Sequence, residues 1–308
     1  MKKILVDAFG SDYAPLEIIK GVLLARKCLE CCISLVGNKN KIEDVSKKND
    51  LIIEDVPIFD CDSEISNKDN PMEITKSKKD SSMAVGLNLL AKNKADALVS
   101  SGNSGALLVG ASLILKRDKG VRRIAFAPFV PKKIGKFLFL DGGANLQCTP
   151  EILVQFAIMG SDYVKKAVNL ENPKVGILNI GSESSKGGDS RKEAFKLLEL
   201  CDLNFGGNIE PSNVFDSDFD VVISDGFAGN IFLKTFEGMQ NFILSNIENI
   251  FGNYIISNSE YIDFKNTLSP EAYGGTPLLG ASQLVIKAHG NSKAEAIKNA
   301  IKLAYSSL

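Results

Sequence analysis

The chain has 308 residues, is 44% hydrophobic and carries a formal net charge of −1. That length buries a sizeable core, as one large α/β unit or two lobes. Basic residues come in pairs rather than stripes, Trp is absent and aromatics are scarce, which argues against a nucleic-acid partner, and no apolar run reaches the ~18 residues of a membrane span. The opening MKKILVDAFGSD is too short in apolar residues for a signal peptide and reads as a first strand. Six cysteines without a secretory signal fit a reducing cytoplasm.

In chain order the pattern predicts a strand at Ile4–Val6, a helix at Pro15–Leu29 and strands at Ile33–Val36 and Leu51–Asp55. Residues 56–80 are the least patterned and read as a loop. A helix at Ser82–Lys92, a strand at Ala97–Ser100, a helix at Ala106–Lys116 and strands at Ile124–Phe126 and Phe137–Leu140 follow. The remainder alternates: helix Pro150–Val168, strand Val175–Asn179, helix Arg191–Leu200, strand Val221–Ser224, helix Asn230–Phe251, strand Leu284–Lys287 and helix Lys293–Tyr305. Pro15 and Pro150 suit a first helical turn, where no N–H is missed. Such alternation predicts a mostly parallel sheet covered on both faces.

Five polar, glycine-bearing segments each follow an apolar run: SSGNSGA (100–106), DGGAN (141–145), NIGSESSKGG (179–188), SDGFAGN (224–230) and YGGTPLLG (273–280). The first four fall where a buried strand hands over to a helix. Glycine there permits close backbone approach, the helix start offers N–H donors to an anion, and strand carboxyl ends form the ligand crevice of an open α/β sheet. One such loop means little; this set reads as a site assembled from several strand ends.

Each candidate has a plainer reading beside it. His289 is the only histidine, and a nucleophilic pair with Cys148 is weaker than the default of inert buried thiols. Cys28, Cys31 and Cys32 lack a second ligand pair, so they form a structural cluster rather than a metal site. The acids Asp7, Asp141 and Asp225 end strands, as in a Mg²⁺-dependent dehydrogenase. Asp141 and Asp225 each precede glycine, though, as loop-capping acids do, and no G-x-G-x-x-G opens the chain. Lys186 in SESSKGG is a solvated loop lysine or, slightly favoured, a phosphate ligand among serines and glycines. Asp225 and Asn230 frame DGFAGN as cap and turn residues, or as an acid and an amide beside the apolar Phe227. Asn103 and Asn145 add amide donors from neighbouring loops.

These strings, in order, carry a resemblance. VDAFGSDYAP (6–15), KKDSSMAVG (78–86), ADALVSSGNSGAL (95–107), LDGGAN (140–145), NPKVGILNIGSESSKGG (172–188), DVVISDGFAGNIFLKTFEG (220–238), YGGTPLLG (273–280) and HGNSKAEAI (289–297) resemble the phosphate acyltransferase of bacterial phospholipid synthesis, the PlsX type, from end to end. The departure is Tyr13, where the family usually has histidine; Tyr13 is given no function. The resemblance implies a three-layer, mostly parallel α/β fold of the isocitrate/isopropylmalate dehydrogenase kind, related to phosphate acetyltransferase and used without metal or nicotinamide cofactor. It implies one catalytic domain over 1–308, divisible into two lobes, with a helical extension at 230–270 for dimer or membrane contact. It implies a cytoplasmic enzyme, with peripheral membrane association, that moves a fatty acyl group from acyl-carrier protein to inorganic phosphate. By resemblance, Lys186 is the phosphate or oxyanion cation, Asp225 the group that orients phosphate or takes its proton, and Asn230 the oxyanion donor. Ser101, Asn103, Ser104, Asn145 and the N–H groups of Gly187 and Gly226 cradle phosphate. Acyl-carrier protein is acidic, so on this near-neutral chain the pair Arg122 and Arg123 is the favoured docking point.

Phe242, Ile243, Ile247, Ile250, Phe251 and Tyr254 recur at helical spacing. No Lys or Arg lies between Lys234 and Lys265, so attraction to anionic lipid is weak, and core or homodimer packing is favoured over lipid contact. The competing functions are a CoA-linked phosphate acetyl- or butyryltransferase, a metal- and NAD-dependent decarboxylating dehydrogenase, and a non-catalytic carrier-binding scaffold.

Overall fold

The computed structural model describes residues 1–268 and 274–308. The described residues form two compact units, one drawn from 1–124 and 273–308 and the other from 125–272. Tyr273, the first residue of the YGGTPLLG segment, and residues 269–270 of the predicted helical extension lie outside the described residues.

The first unit begins β1 (Lys3–Asp7), α1 (Leu16–Arg26), β2 (Cys32–Gly37), α2 (Lys39–Lys48) and β3 (Ile58–Asp60). It continues through α3 (Ser82–Ala91), β4 (Ala97–Ser100) and α4 (Ser104–Gly110), whose last turn widens to a π turn over Ala111–Leu115. The second unit holds β5 (Ala125–Phe126), β6 (Phe129–Pro131), β7 (Lys136–Leu140), α5 (Pro150–Val168), β8 (Val175–Leu178), α6 (Asp189–Glu199), β9 (Phe205–Ile209) and β10 (Val221–Ile223). It ends on α7 (Gly226–Phe251), α8 (Asn253–Ile256) and α9 (Ser259–Leu268). The chain then completes the first unit with β11 (Thr276–Leu279), β12 (Leu284–Lys287) and α10 (Ala294–Ser307).

In the first unit the strand order is β3-β2-β1-β4-β12-β11, parallel except for the β11–β12 pair. The central strands are unbroken apolar runs because both faces are covered. Ile4, Val6, Ala97 and Val99 face α1 and α10, whose Ile18, Ile19, Val22, Ile297 and Ile301 complete one cluster. Leu98 faces the other way, against Gly86 of α3. Gly21 lets α1 meet α10 closely: a Cβ there would lie 2.6 Å from the Ile297 Cβ. In the second unit the order is β6-β7-β10-β8-β9, with only β6 antiparallel. Phe137, Phe139, Val222 and Phe232 centre its core, and α5 sits on the sheet through Gly160, where a Cβ would lie 2.7 Å from Val221.

Four expectations change. The Leu51–Asp55 strand is absent; the chain pairs with β2 only after Pro57, whose carbonyl accepts the Leu35 N–H at 2.9 Å, so the edge strand falls at Ile58–Asp60. Within residues 56–80 the structure places that strand and a 3₁₀ turn at Pro71–Thr75, capped by Asn70. The long helix starts four residues before Asn230, because the Asp225 side chain caps it at Gly226. The apolar residues predicted to pack in the core or against a second copy do not reach this chain's core: Phe242, Ile243, Ile250, Phe251 and Tyr254 are all exposed. Helical spacing reports a shared face and says nothing of what covers it.

Candidate active site

In the second unit, parallel pairing sets Leu140 of β7 beside Ile223 of β10, and Ile223 beside Ile177 of β8. The segments leaving these strands therefore emerge at one edge of the sheet, the place where α/β proteins hold ligands. Asp141 leaves β7 fully buried. Its Oδ1 accepts the N–H groups of Phe126 (3.1 Å), Gly143 (3.2 Å) and Ala144 (3.1 Å), and its Oδ2 accepts Asn145 N–H (2.6 Å) and Asn145 Nδ2 (2.9 Å). Burial pushes this carboxyl above its ordinary range, against the pull of those donors. The acid thus shapes the DGGAN loop and leaves its oxygens little freedom for a ligand.

The shaped loop then grips the next one. Gly226 donates its N–H to the Asn145 carbonyl at 2.7 Å, and a Cβ at Gly226 would stand 2.8 Å from that same oxygen, so only glycine fits. At Gly143, φ is +130° and a Cβ would meet the Asn230 side chain at 3.3 Å. Asn145, Gly226 and Asn230 are thereby brought together. Asp225 serves two partners: Oδ1 caps α7 by accepting Ala228 N–H at 2.9 Å, and Oδ2 accepts the Arg191 guanidinium. Arg191, in the first turn of α6, also gives its Nε–H to the Leu178 carbonyl at 3.3 Å.

Lys186 is half-exposed, and its nearest acid is Glu183 at 3.8 Å. Its carbonyl accepts Asn179 Nδ2 at 3.1 Å, and Asn208 Nδ2 holds the Glu183 carbonyl at 2.7 Å, so two asparagines pin the SESSKGG loop. Gly187 has φ +84° and packs on the Asn179 amide, which would lie 2.5 Å from a Cβ. Beside these groups opens a cavity of about 690 Å³, headed by Asn179, Gly187 and Arg191 and walled by Phe215, Phe227, Ile231, Phe232, Phe236 and Met239.

Ser101, Asn103, Ser104, Arg122 and Arg123 belong to the first unit. Asn103 caps α4 by accepting Ala106 N–H at 3.0 Å and donates to the carbonyls of Ser66 (3.1 Å) and Asp69 (3.3 Å), so its amide organises the loop. Ser104 is exposed, as are Arg122 and Arg123, and the Arg122 carbonyl accepts from Arg117. Tyr13 is exposed. Ser101 is buried, and its hydroxyl has no partner among the described residues. At the same strand ends Asp7 is buried, with Oδ2 accepting Ser100 Oγ at 2.7 Å and Oδ1 accepting Phe9 N–H at 3.3 Å. Burial pushes the Asp7 carboxyl up to about 6 and the Lys287 ammonium down to about 8.

Sequence reasoning missed Arg191, Asn179 and Asn208 as site residues. The signal for Arg191 was present: a cation in the first turn of a helix that follows a glycine loop has no favourable dipole partner there and needs an acid nearby.

A mostly parallel α/β fold with polar loops at the strand carboxyl ends is shared with solved phosphotransacetylases. The Streptococcus pyogenes protein aligns with a TM-score of 0.68 at 17% identity, covering 99% of this chain and 93% of its own. The EutD phosphotransacetylase of Staphylococcus aureus gives 0.66 at 16%, covering 99% and 94%. In sequence, residues 2–308 match the fatty acid synthesis protein family. A phosphate acyltransferase of Alkaliphilus oremlandii is 42% identical over 306 residues, 97% of this chain and 91% of that protein. One from Clostridium kluyveri is 37% identical over 310 residues, 98% and 92%. The chain belongs to the phosphate acyltransferase family, and it is an enzyme of the acyltransferase class. Among the described residues no helix is long and apolar enough to cross a membrane.

The buried Asp7 generates a test. Its folded carboxyl titrates at about 6 against 3.8 in the unfolded chain, so folding favours the protonated form. Stability is unreduced below the lower value and declines as pH rises through the upper one, by up to about 3 kcal/mol at neutral pH. Asp7→Asn cannot ionise. Its melting temperature relative to the parent is expected to rise between about pH 4.5 and about pH 7.5; a constant difference in calorimetric scans would contradict the assignment.

Proposed function

We propose that this enzyme transfers a fatty acyl group from acyl-carrier protein to inorganic phosphate. The observation that carries the reading is the 690 Å³ cavity, walled by aromatic and aliphatic side chains and opening beside the polar strand-end loops. Its volume lies in the range of pockets that bury drug-sized ligands, roughly 300–1,000 Å³, and far exceeds the needs of an acetyl or butyryl group. The walls suit a long acyl chain, and the loops suit its thioester head.

Phosphate is a nucleophile at neutral pH, so the reaction needs no covalent enzyme intermediate. The phosphate oxygen attacks the thioester carbonyl, the tetrahedral oxyanion collapses, and the C–S bond breaks to release the carrier thiol. What the protein supplies is position and charge. In this reading Lys186 closes on phosphate or the oxyanion, Asn230 donates to the oxyanion, and the Asn145 amide with the Gly187 and Gly226 N–H groups holds phosphate oxygens. Asp225 orients phosphate through an accepted proton, and Arg191 fixes the Asp225 carboxylate, since Oδ2 is already bound to its guanidinium. Arg122 and Arg123, exposed and basic, receive the acidic carrier. The exposed apolar residues of α7 and α8 are covered by a second copy of the chain, as no cation lies between Lys234 and Lys265 to draw anionic lipid.

Three outcomes are expected. With palmitoyl–carrier protein, free carrier is released only when phosphate is present, acyl phosphate accumulates, and kcat/KM exceeds that for acetyl-CoA by about 10²-fold or more, given ~0.8 kcal/mol per buried methylene; equal efficiencies would favour the short-chain CoA reading. Lys186→Ala and Arg191→Ala each lower kcat by about tenfold or more without lowering the melting temperature much; a normal rate for Lys186→Ala returns it to an ordinary surface lysine. Light scattering of the parent gives a dimer mass, and Ile250→Asp with Phe251→Asp shifts it towards monomer; a monomeric parent disposes of the second copy.

A further inference from the structure

The first unit carries a polar cluster that the mechanism above does not use. It lies at the carboxyl ends of β1, β4 and β12, which run parallel with Ile4 beside Ala97 and Lys287 beside Ser100. Three segments close on one another there. Asp12 donates its N–H to the Gly290 carbonyl at 2.9 Å. Lys287 Nζ reaches the carbonyls of Ser101, at 3.4 Å, and Ala288. A Cβ at Gly10 would stand 3.2 Å from the Gly102 Cα, so the turn after β1 packs on the turn after β4.

Within this knot the hydrogen bonding is incomplete. The hydroxyls of Ser101 and Ser11 are both buried, and neither has a partner among the described residues; Ser101 as a residue is 1% exposed. Lys287 makes no ion pair among the described residues, and its ammonium meets two carbonyls. Asp7 and Asp12 are the charges that act on it, but Asp7 spends its oxygens on Ser100 Oγ and Phe9 N–H, and Asp12 is exposed. A buried hydroxyl left unpaired costs about 1–3 kcal/mol, and an ammonium without a counter-ion costs more. A hydroxyl can donate or accept, so the two orphaned hydroxyls alone do not say what is missing; the ammonium without a counter-ion does: a negatively charged group, to whose oxygens the hydroxyls can donate.

We propose that Lys287, Ser101 and Ser11 form a binding site for a phosphate group. Lys287 supplies the point charge, as lysine does at many phosphate sites, and the two hydroxyls donate to its oxygens. This deepens the acyltransferase reading, which offers two sources for such a group: inorganic phosphate, and the phosphodiester that links a carrier's thiol-bearing arm to its protein.

The test uses the full chain and the variants Lys287→Met and Lys287→Arg, with KM measured for inorganic phosphate and for acyl–carrier protein. Lys287→Met removes the charge at similar shape and is expected to melt no lower than the parent, because it removes an unpaired, partly buried charge. A rise of about tenfold or more in KM for phosphate alone, the loss of one charge-assisted contact, identifies inorganic phosphate as the occupant. The same rise for the acyl donor alone identifies the phosphodiester. Either supports the proposal when Lys287→Arg recovers most of it. Unchanged KM values, or equal rises in both that Lys287→Arg does not recover, overturn it. Should the parent form no acyl phosphate, the functional reading fails by itself, and the site is decided by melting alone. Millimolar inorganic phosphate, or 4′-phosphopantetheine, must then raise the melting temperature of the parent and not of Lys287→Met; no rise in the parent with either probe overturns the proposal.

Discussion

The geometry of the second unit hangs on one buried carboxylate. Asp141 gathers five hydrogen bonds from Phe126, Gly143, Ala144 and Asn145. Without it the glycines of the DGGAN loop have no reason to adopt the shape that presents the Asn145 carbonyl to Gly226. That single contact, in turn, sets where α7 begins and so where Asp225 and Asn230 stand. The constraint is ordered: a buried acid fixes a loop, the loop fixes a helix start, and the helix start fixes an acid and an amide. Each step uses groups too closely packed to shift, as the Cβ distances at Gly226 and Gly229 show, the latter only 2.1 Å from the Asp141 carbonyl. A site held this way offers fixed placement of its groups, on which the proposed attack by an already nucleophilic phosphate depends.

The three strand-end acids are alike in sequence and differ in physics. Asp141 is saturated by N–H donors. Asp225 divides its two oxygens between a helix cap and a guanidinium. Asp7 is buried with fewer donors, the Ser100 hydroxyl and the Phe9 N–H among them, and burial pushes its carboxyl up to about 6. The cations differ as well. Arg191 is held by Asp225 and the Leu178 carbonyl, and its planar fork suits both at once. Lys186 is tethered through its backbone while its ammonium stays half in water with Glu183. The first arrangement fixes the guanidinium; the second leaves the ammonium free to move.

Much of this was legible in the residues. The alternation of β-branched runs with helical patterns placed most strands within a residue or two, because strands buried on both faces are written as plain apolar runs. Leu51–Asp55 failed for the converse reason: a short edge strand is placed by its neighbour β2 and by Pro57, and neither acts through local pattern. The candidate loops stood out through glycine, whose spacing records close approach, and Lys186, Asp225, Asn230 and Asn145 were singled out that way. Arg191 was hidden because its meaning depends on Asp225, thirty-four positions away. Ser101 was read as one of several loop donors. Nothing local distinguishes it from Asn103, yet in the fold Asn103 is fully engaged and the Ser101 hydroxyl is orphaned.

Helix α7 gathers several features of the second unit on one element. Asp225 caps it, Asn230 opens its second turn, and Ala228, Ile231, Phe232, Thr235, Phe236 and Met239 line the cavity at spacings of one, three and four residues. From Ala228 to Met239 the helix advances about 16 Å at ~1.5 Å per residue, so one face lines the cavity over that length. Beyond Met239 the same helix turns its apolar residues outward at Phe242, Ile250 and Phe251. Helix cap, cavity wall and exposed apolar face are therefore laid end to end on one element. A change of side-chain volume near Met239 alters the cavity wall without disturbing Asp225, about four turns of helix away.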